Sequence, residues 1–120
     1  TIMNNKVKKY LSNPKNLNSS FMNLSFDTQN KYLNEIAAGS HPYDKTVRPQ
    51  FLKKKHNSNY YKIIEEFSKL SQINAVLNTS LNLHGNPKCS GIKDIIQTFK
   101  TSGLKYLYIN GNILIKKITK

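Results

Sequence analysis

The sequence predicts an α/β fold, with α+β as the alternative, carrying flanking helices and a C-terminal β-hairpin. Three observations predict it. Residues 59–70 and 91–102 each carry apolar side chains at helical spacing. Short β-rich or apolar runs at 21–26 and 75–77 lie before and between them. Asn110-Gly111 separates two further β-rich runs, 105–109 and 112–116, and both residues tolerate the positive φ of a tight hairpin turn.

In chain order, Val7, Tyr10 and Leu11 give a short helix over residues 3–11. Asn13-Pro14 ends it, because a residue before proline is pushed out of the helical region. Residues 12–20 read as a surface loop. In FMNLSF, Met22, Leu24 and Phe26 alternate with Phe21, Asn23 and Ser25, the period of a strand. Residues 28–38 form a second helix with Tyr32, Leu33 and Ile36 on one side, stopped by Gly39. Ser40 to Gln50 is irregular and polar, and holds His41 and the only arginine, Arg48. Asn57 or Ser58 caps the next helix, striped by Tyr61, Ile64, Phe67 and Leu70. Ala75-Val76-Leu77 is a buried strand that empties into the polar loop NTSLNLHGNP. Ser90 caps the third helix, with Asp94 in its first turn and Ile92, Ile95, Ile96 and Phe99 on one face. In a two-residue hairpin loop, Leu107 faces Leu114, while Tyr106, Tyr108, Ile113 and Ile115 share the opposite side.

The net charge of +13 invites a nucleic-acid reading, yet only one of the 19 basic residues is an arginine. Arginine is the residue of bidentate phosphate and base recognition, and the lysines are spread rather than clustered. The charge therefore reads chiefly as solvated lysines, with nucleic acid an unfavoured partner. The apolar content of 38% is low and the shortage falls in the first twenty residues, which reads as a peripheral segment. A single cysteine, Cys89, allows no internal disulfide, and no metal-ligand spacing is present. No apolar run approaches the ~20 residues of a membrane span, and no secretory signal is visible, so a cytoplasmic protein is expected. The lack of an initiator methionine suggests a start within a longer polypeptide.

Nucleotide fingerprints, a P-loop and a nucleophile elbow are absent. What remains is the strand–loop–helix at 75–102. Its loop offers the hydroxyls of Thr79 and Ser80, the amides of Asn78, Asn82 and Asn86, and Gly85. It feeds a helix N-terminus, whose free N–H groups favour anions. With Arg48 as a planar phosphate fork, the set suits a phosphorylated ligand; a loop that merely satisfies its own backbone is the alternative. His84, inside the loop, and His41, near Arg48, are secondary candidates.

Arg48-Pro49-Gln50, Asn57, Tyr60-Tyr61, Leu77-Asn78-Thr79-Ser80, Asn82, Gly85, Pro87, Asp94-Ile95 and Ser102-Gly103-Leu104 occur in this order. Together they resemble the C-terminal region of the O-carbamoyltransferases of nodulation-factor and antibiotic biosynthesis. SSFMNLSF is similar to that family's S-P-Y-M strand, and SHPYDKTVRPQ to its T-H-V-D-G-T-A-R-P-Q segment with one residue extra. The resemblance spans roughly residues 1–117.

The resemblance implies a YrdC-like domain, a twisted mixed sheet with flanking helices, of which residues 1–120 would be the later and incomplete part. Residues 1–20 would be a peripheral helix and loop, and 21–117 the core. In such a domain carbamoyl phosphate is cleaved and the carbamate is adenylated by ATP, with magnesium. An N-terminal transferase domain, outside this sequence and holding the family's metal site, then passes the carbamoyl group to a hydroxyl. Arg48 would hold a phosphate, Ser80 and Asn82 would bind phosphate or carbamate oxygens, and Thr79 and Asn78 would shape the loop. Asn86 stands where the family usually has Glu, Leu81 where it has Phe, and Ser90-Gly91 where it has Thr/Ser-Pro. The family's basic R-E-x-F-R-P-F-A-P segment would precede Thr1, so the fragment alone is expected to be inactive. The alternative function is a non-catalytic, basic RNA-binding or scaffold module of the same fold type.

Overall fold

Ile2 and Met3 are adjacent apolar residues on extended backbone, so their side chains leave on opposite faces. That alternation builds the first of two units, Thr1–Asn78 and Thr79–Lys120, in the computed structural model, which describes residues 1–111 and 113–118. Strand β1 (Ile2–Met3) pairs in parallel with β4 (Phe51–Leu52), Ile2 opposite Phe51 and Met3 opposite Leu52. On its other edge Ile2 bridges antiparallel to Ala75, and the Met3 N–H donates to the Asn74 carbonyl at 3.2 Å. The pairing is thus mixed, and both faces are buried. Ile2 and Phe51 pack with Val7, Tyr10, Leu11, Phe26 and Val47 on one side. Met3 and Leu52 pack with Ile64 on the other.

The first face is completed by α1 (Val7–Tyr10), entered through a 3-10 turn at Asn4–Lys6, and by the antiparallel pair β2 (Phe26–Asp27) and β3 (Thr46–Val47). Helix α2 (Leu33–Ile36) is flanked by 3-10 turns at Asn30–Tyr32 and Ala37–Gly39. Tyr32 and Ile36 pack against the cluster. The second face is covered by α3 (Ser58–Ser71). Its cap is Asn57, whose Oδ1 accepts the Tyr60 N–H at 3.0 Å.

The second unit holds α4 (Ile92–Thr101) and the antiparallel hairpin β5 (Tyr106–Ile109) and β6 (Ile113–Lys116), with Phe99 and Leu107 buried. The Lys117 ammonium donates to the carbonyls of Phe99, Lys100 and Ser102 at 3.2, 2.8 and 2.8 Å. One cation thereby satisfies the carbonyl end of α4 and ties the end of β6 to it. No helix among the described residues is long and apolar enough to cross a membrane.

The α/β class with a terminal hairpin agrees with the sequence reading, and several details differ. Residues 1–20 are not peripheral: Ile2, Met3, Val7, Tyr10, Leu11 and Ser19 are buried. Ser19 donates its hydroxyl to the Pro49 carbonyl at 2.8 Å, an interior bond inside the expected surface loop. The expected 21–26 strand reduces to Phe26, because Met22 has φ +56 and Phe21 is 82% exposed. Of 75–77 only Ala75 is bridged, and Leu77 is exposed. On α3 the buried side runs through Ile64, with Tyr60 and Tyr61 packed against that cluster, whereas Leu70 is 88% exposed. In the hairpin Ile109 pairs with Ile113 and Leu107 with Ile115, so the loop is one residue longer than the Asn-Gly signal implies. A one-residue slip turns every β6 side chain to the other face. Leu107 and Ile115 therefore share the more buried face, and Leu114 lies with Tyr106 and Tyr108 on the exposed one. Asn112, the expected first residue of β6, lies outside the described residues.

Candidate functional site

Arg48 stands on a tightly pinned stretch. Val47 before it and Pro49 after it are buried, while Arg48 is exposed. The Pro49 carbonyl accepts from Ser19 and the Gln50 carbonyl accepts the Ile2 N–H at 2.9 Å. The three residues bridging β3 and β4 are thus held from both sides, and only the Arg48 side chain is left outward. Among the described residues it makes no ion pair. It lines a cavity of about 500 Å³ within the first unit, together with Glu35, Gly39 and Asn78. It also lines a smaller cavity of about 320 Å³, shared with His41, Asp44, Thr46, Ser25 and Ser40.

The smaller cavity is built on the 41–46 turn. The His41 N–H donates to the Thr46 carbonyl at 2.8 Å, and the Lys45 N–H to the His41 carbonyl at 3.1 Å. Lys45 takes φ +59 to make this turn. Asp44 Oδ1 accepts the Thr46 N–H and hydroxyl, both at 2.9 Å, and lies 3.1 Å from His41 Nδ1. The two Thr46 donors, with a smaller contribution from His41, hold the Asp44 carboxyl below the usual carboxylate range.

Glu35 has its own partners. Its Oε2 accepts from the Lys9 ammonium and the Tyr10 hydroxyl, each at 2.7 Å. Lys9 lies 4.9 and 4.8 Å from the ring centres of Tyr10 and Tyr32. The Lys9 bond, then the Tyr10 bond, lowers the Glu35 pKa, and the same Lys9–Glu35 bond raises that of Lys9. Burial raises the Tyr10 pKa. The Tyr10 oxygen also accepts the Asn74 N–H at 2.8 Å. This network escapes a sequence reading, because Lys9 and Tyr10 are 26 and 25 residues from Glu35 and no spacing rule joins them.

Of the loop residues, Asn78 belongs to the first unit, where its amide donates to the Met22 sulfur at 3.6 Å and it lines the larger cavity. Thr79, Ser80, Asn82, His84 and Gly85 belong to the second unit. There the loop satisfies itself. The Ser80 hydroxyl donates to Asn82 Oδ1 at 2.5 Å, and Asn82 Nδ2 donates to the carbonyls of Leu83 and Asn86 at 3.1 and 3.0 Å. Gly85 takes φ +81, which only glycine adopts without strain. Asn82 is therefore the loop's internal strut, with both ends of its amide engaged. Thr79 and His84 are exposed, and Cys89 is half-buried with its sulfur 3.2 Å from the Thr98 hydroxyl.

The helix N-terminus is occupied by the chain itself. Gly91, rather than Ser90, is the cap residue, and Asp94 Oδ2 accepts the Ser90 N–H, the Ser90 hydroxyl and the Gly91 N–H at 3.0, 2.9 and 3.3 Å. The expected anion site at α4 is thus filled by its own carboxylate, whose pKa these Ser90 and Gly91 donors lower. Among the described residues no three His, Cys, Asp or Glu side chains gather to hold a metal ion.

A family model described as carbamoyltransferase C-terminus matches residues 1–117. An uncharacterised protein of Methanocaldococcus jannaschii is 40% identical over 118 residues, which cover 98% of this chain and 22% of that protein. Nodulation protein NolNO of Sinorhizobium fredii is 33% identical over 99 residues, 82% of this chain and 14% of that protein. Nodulation protein NolO of Bradyrhizobium diazoefficiens is 33% identical over 97 residues, 81% of this chain and 17% of that protein. The chain thus spans less than a quarter of the length of each of these relatives. With its family match covering all but the last three residues, the chain belongs to the carbamoyltransferase C-terminus family.

Proposed function

We propose that this chain is the later part of the YrdC-like domain of an O-carbamoyltransferase, in which carbamoyl phosphate and ATP become carbamoyladenylate. Beyond the family itself, one observation carries the reading. Arg48 is fixed by its backbone neighbours at the wall of two cavities, and its guanidinium is not spent on any ion pair among the described residues. Such a planar cation, held without a carboxylate partner, suits a phosphoryl group.

The chemistry has two steps. Water cleaves carbamoyl phosphate to carbamate and inorganic phosphate. A carbamate oxygen then attacks the α-phosphorus of ATP, and the bond to pyrophosphate breaks. Both steps move charge between anions, so positioning and neutralisation dominate. Arg48 binds and orients a phosphate, and Asn78 donates from the cavity edge. Asn82 keeps the loop in shape. The guanidinium and amide donors at this cavity fit an anionic nucleotide. The two carboxylates at these cavities, Glu35 and Asp44, already accept from Lys9, Tyr10 and Thr46. These cavities thus offer magnesium no uncommitted carboxylate among the described residues, and its chemistry there would be to neutralise phosphate charge. The remaining basic residues of the pocket, and the transferase domain that hands the group to a hydroxyl, come from the rest of the parent polypeptide.

The test is carbamoyl-phosphate-dependent exchange of pyrophosphate into ATP by the complete protein. Arg48→Ala is expected to lower this exchange by ~100-fold or more, the scale of losing a charged group that contacts the transferring phosphoryl. Normal exchange in that variant refutes the assignment of Arg48.

A further inference from the structure

We propose that His41, oriented by Asp44, is the general base that activates the water which cleaves carbamoyl phosphate; this rests on the reaction proposed above. The inference starts from the smaller cavity. His41, Asp44 and Arg48 line it together, within one unit and on one short stretch of chain.

The dyad has a defined tautomer. Nδ1 of His41 lies 3.1 Å from a carboxylate oxygen, so the ring proton sits on Nδ1 and is donated to Asp44. With Nδ1 engaged by Asp44, Nε2 is the ring nitrogen left to exchange a proton with a ligand. The carboxylate is itself immobilised, because the same Oδ1 accepts the backbone N–H and the hydroxyl of Thr46. Two further backbone bonds, His41 N–H to Thr46 and Lys45 N–H to His41, close the turn that carries both residues. What the scaffold achieves is an imidazole held at one cavity with an arginine.

A cavity of about 320 Å³ exceeds a phosphate and a water, whose own share of liquid volume is ~30 Å³. Arg48 holds the phosphate end of carbamoyl phosphate. His41 Nε2 takes a proton from water as the water oxygen bonds to the carbamoyl carbon. The carbon–oxygen bond to phosphate breaks, and phosphate leaves with its negative charge facing Arg48. The carbamic acid first formed gives its O–H proton to the departing phosphate, so the products are carbamate and hydrogen phosphate, and the proton on His41 passes to solvent. The residue thus serves the first step only; adenylation of the carbamate needs no base, because its nucleophile is already an anion.

That separation makes the experiment. Carbamate forms spontaneously in ammonium bicarbonate, so exchange of pyrophosphate into ATP can be driven by carbamoyl phosphate or by carbamate in the complete protein. General-base catalysis contributes roughly 10²–10⁴-fold. In His41→Gln, the ratio of carbamoyl-phosphate-driven to carbamate-driven exchange is expected to fall by ~100-fold or more, together with phosphate release from carbamoyl phosphate. In His41→Gly, added imidazole is expected to restore part of that release. Asp44→Asn is expected to lower the ratio less, since His41 remains. An unchanged ratio in His41→Gln, an equal fall in both branches, or no rescue by imidazole overturns the role of His41. A wild-type protein that exchanges in neither branch overturns instead the reaction on which it rests.

Discussion

Replacing Tyr10 with phenylalanine removes one oxygen from a fully buried side chain and two hydrogen bonds with it. The ring keeps its place in the apolar cluster and its edge-on contact with Tyr32 at 6.2 Å. The Asn74 N–H, buried and 2.8 Å from the Tyr10 oxygen, loses its acceptor. An unsatisfied buried donor costs about 1–3 kcal/mol. The bond from Tyr10 to the Glu35 carboxylate, at 2.7 Å, belongs to a class that contributes ~1.5–3 kcal/mol. Glu35 keeps Lys9 and some solvent, which discounts that contribution. The net loss is expected at about 2–4 kcal/mol, a large share of the ~5–15 kcal/mol by which a domain is stable. Urea denaturation of the chain followed by far-ultraviolet circular dichroism measures it as a lower midpoint at unchanged slope. A loss below about 0.5 kcal/mol, the range of an ordinary surface substitution, refutes the reasoning.

Two further perturbations test the same frame. Lys117→Met removes the cation that meets three carbonyls at the end of α4, and is expected to cost about 1–2 kcal/mol, read as faster amide exchange in α4 and the hairpin. The Glu35 contribution depends on pH with a definite sign. Its folded pKa lies below the unfolded one, so the stabilisation is present above the unfolded value and lost as pH falls through the folded one. Tyr10 and Lys9, with raised values, contribute below their unfolded pKa values and lose that contribution as pH rises through the folded ones. Urea midpoints of the wild type and Glu35→Gln are expected to converge as pH is lowered from about 5 to 3; a constant gap contradicts the ion pair's role.

What the sequence determined by itself is what rests on neighbours along the chain. Asn57 caps α3 because an amide three residues before a free N–H reaches it wherever the helix sits. Gly103 lies just beyond α4, and Asn110 and Gly111 turn at φ +52 and +75 because only such residues tolerate that backbone. The helices at 58–71 and 92–101 and the R-P-Q and N-T-S motifs were legible for the same reason, and with them the family. Tertiary structure decided the rest. Residues 2–11 look too polar for a core, yet β1 is covered on both faces, a fact that depends on Phe26 and Val47 on one side and Ile64 on the other, all from later segments. The hairpin register depends on which face finds burial, and that choice overrode the turn signal. In the loop, Asn82 offers the same groups to a ligand as to its own backbone, and only the fold shows them engaged. Sequence put His41 and Arg48 seven residues apart; the pinned turn and the burial of Val47 and Pro49 made them walls of one cavity.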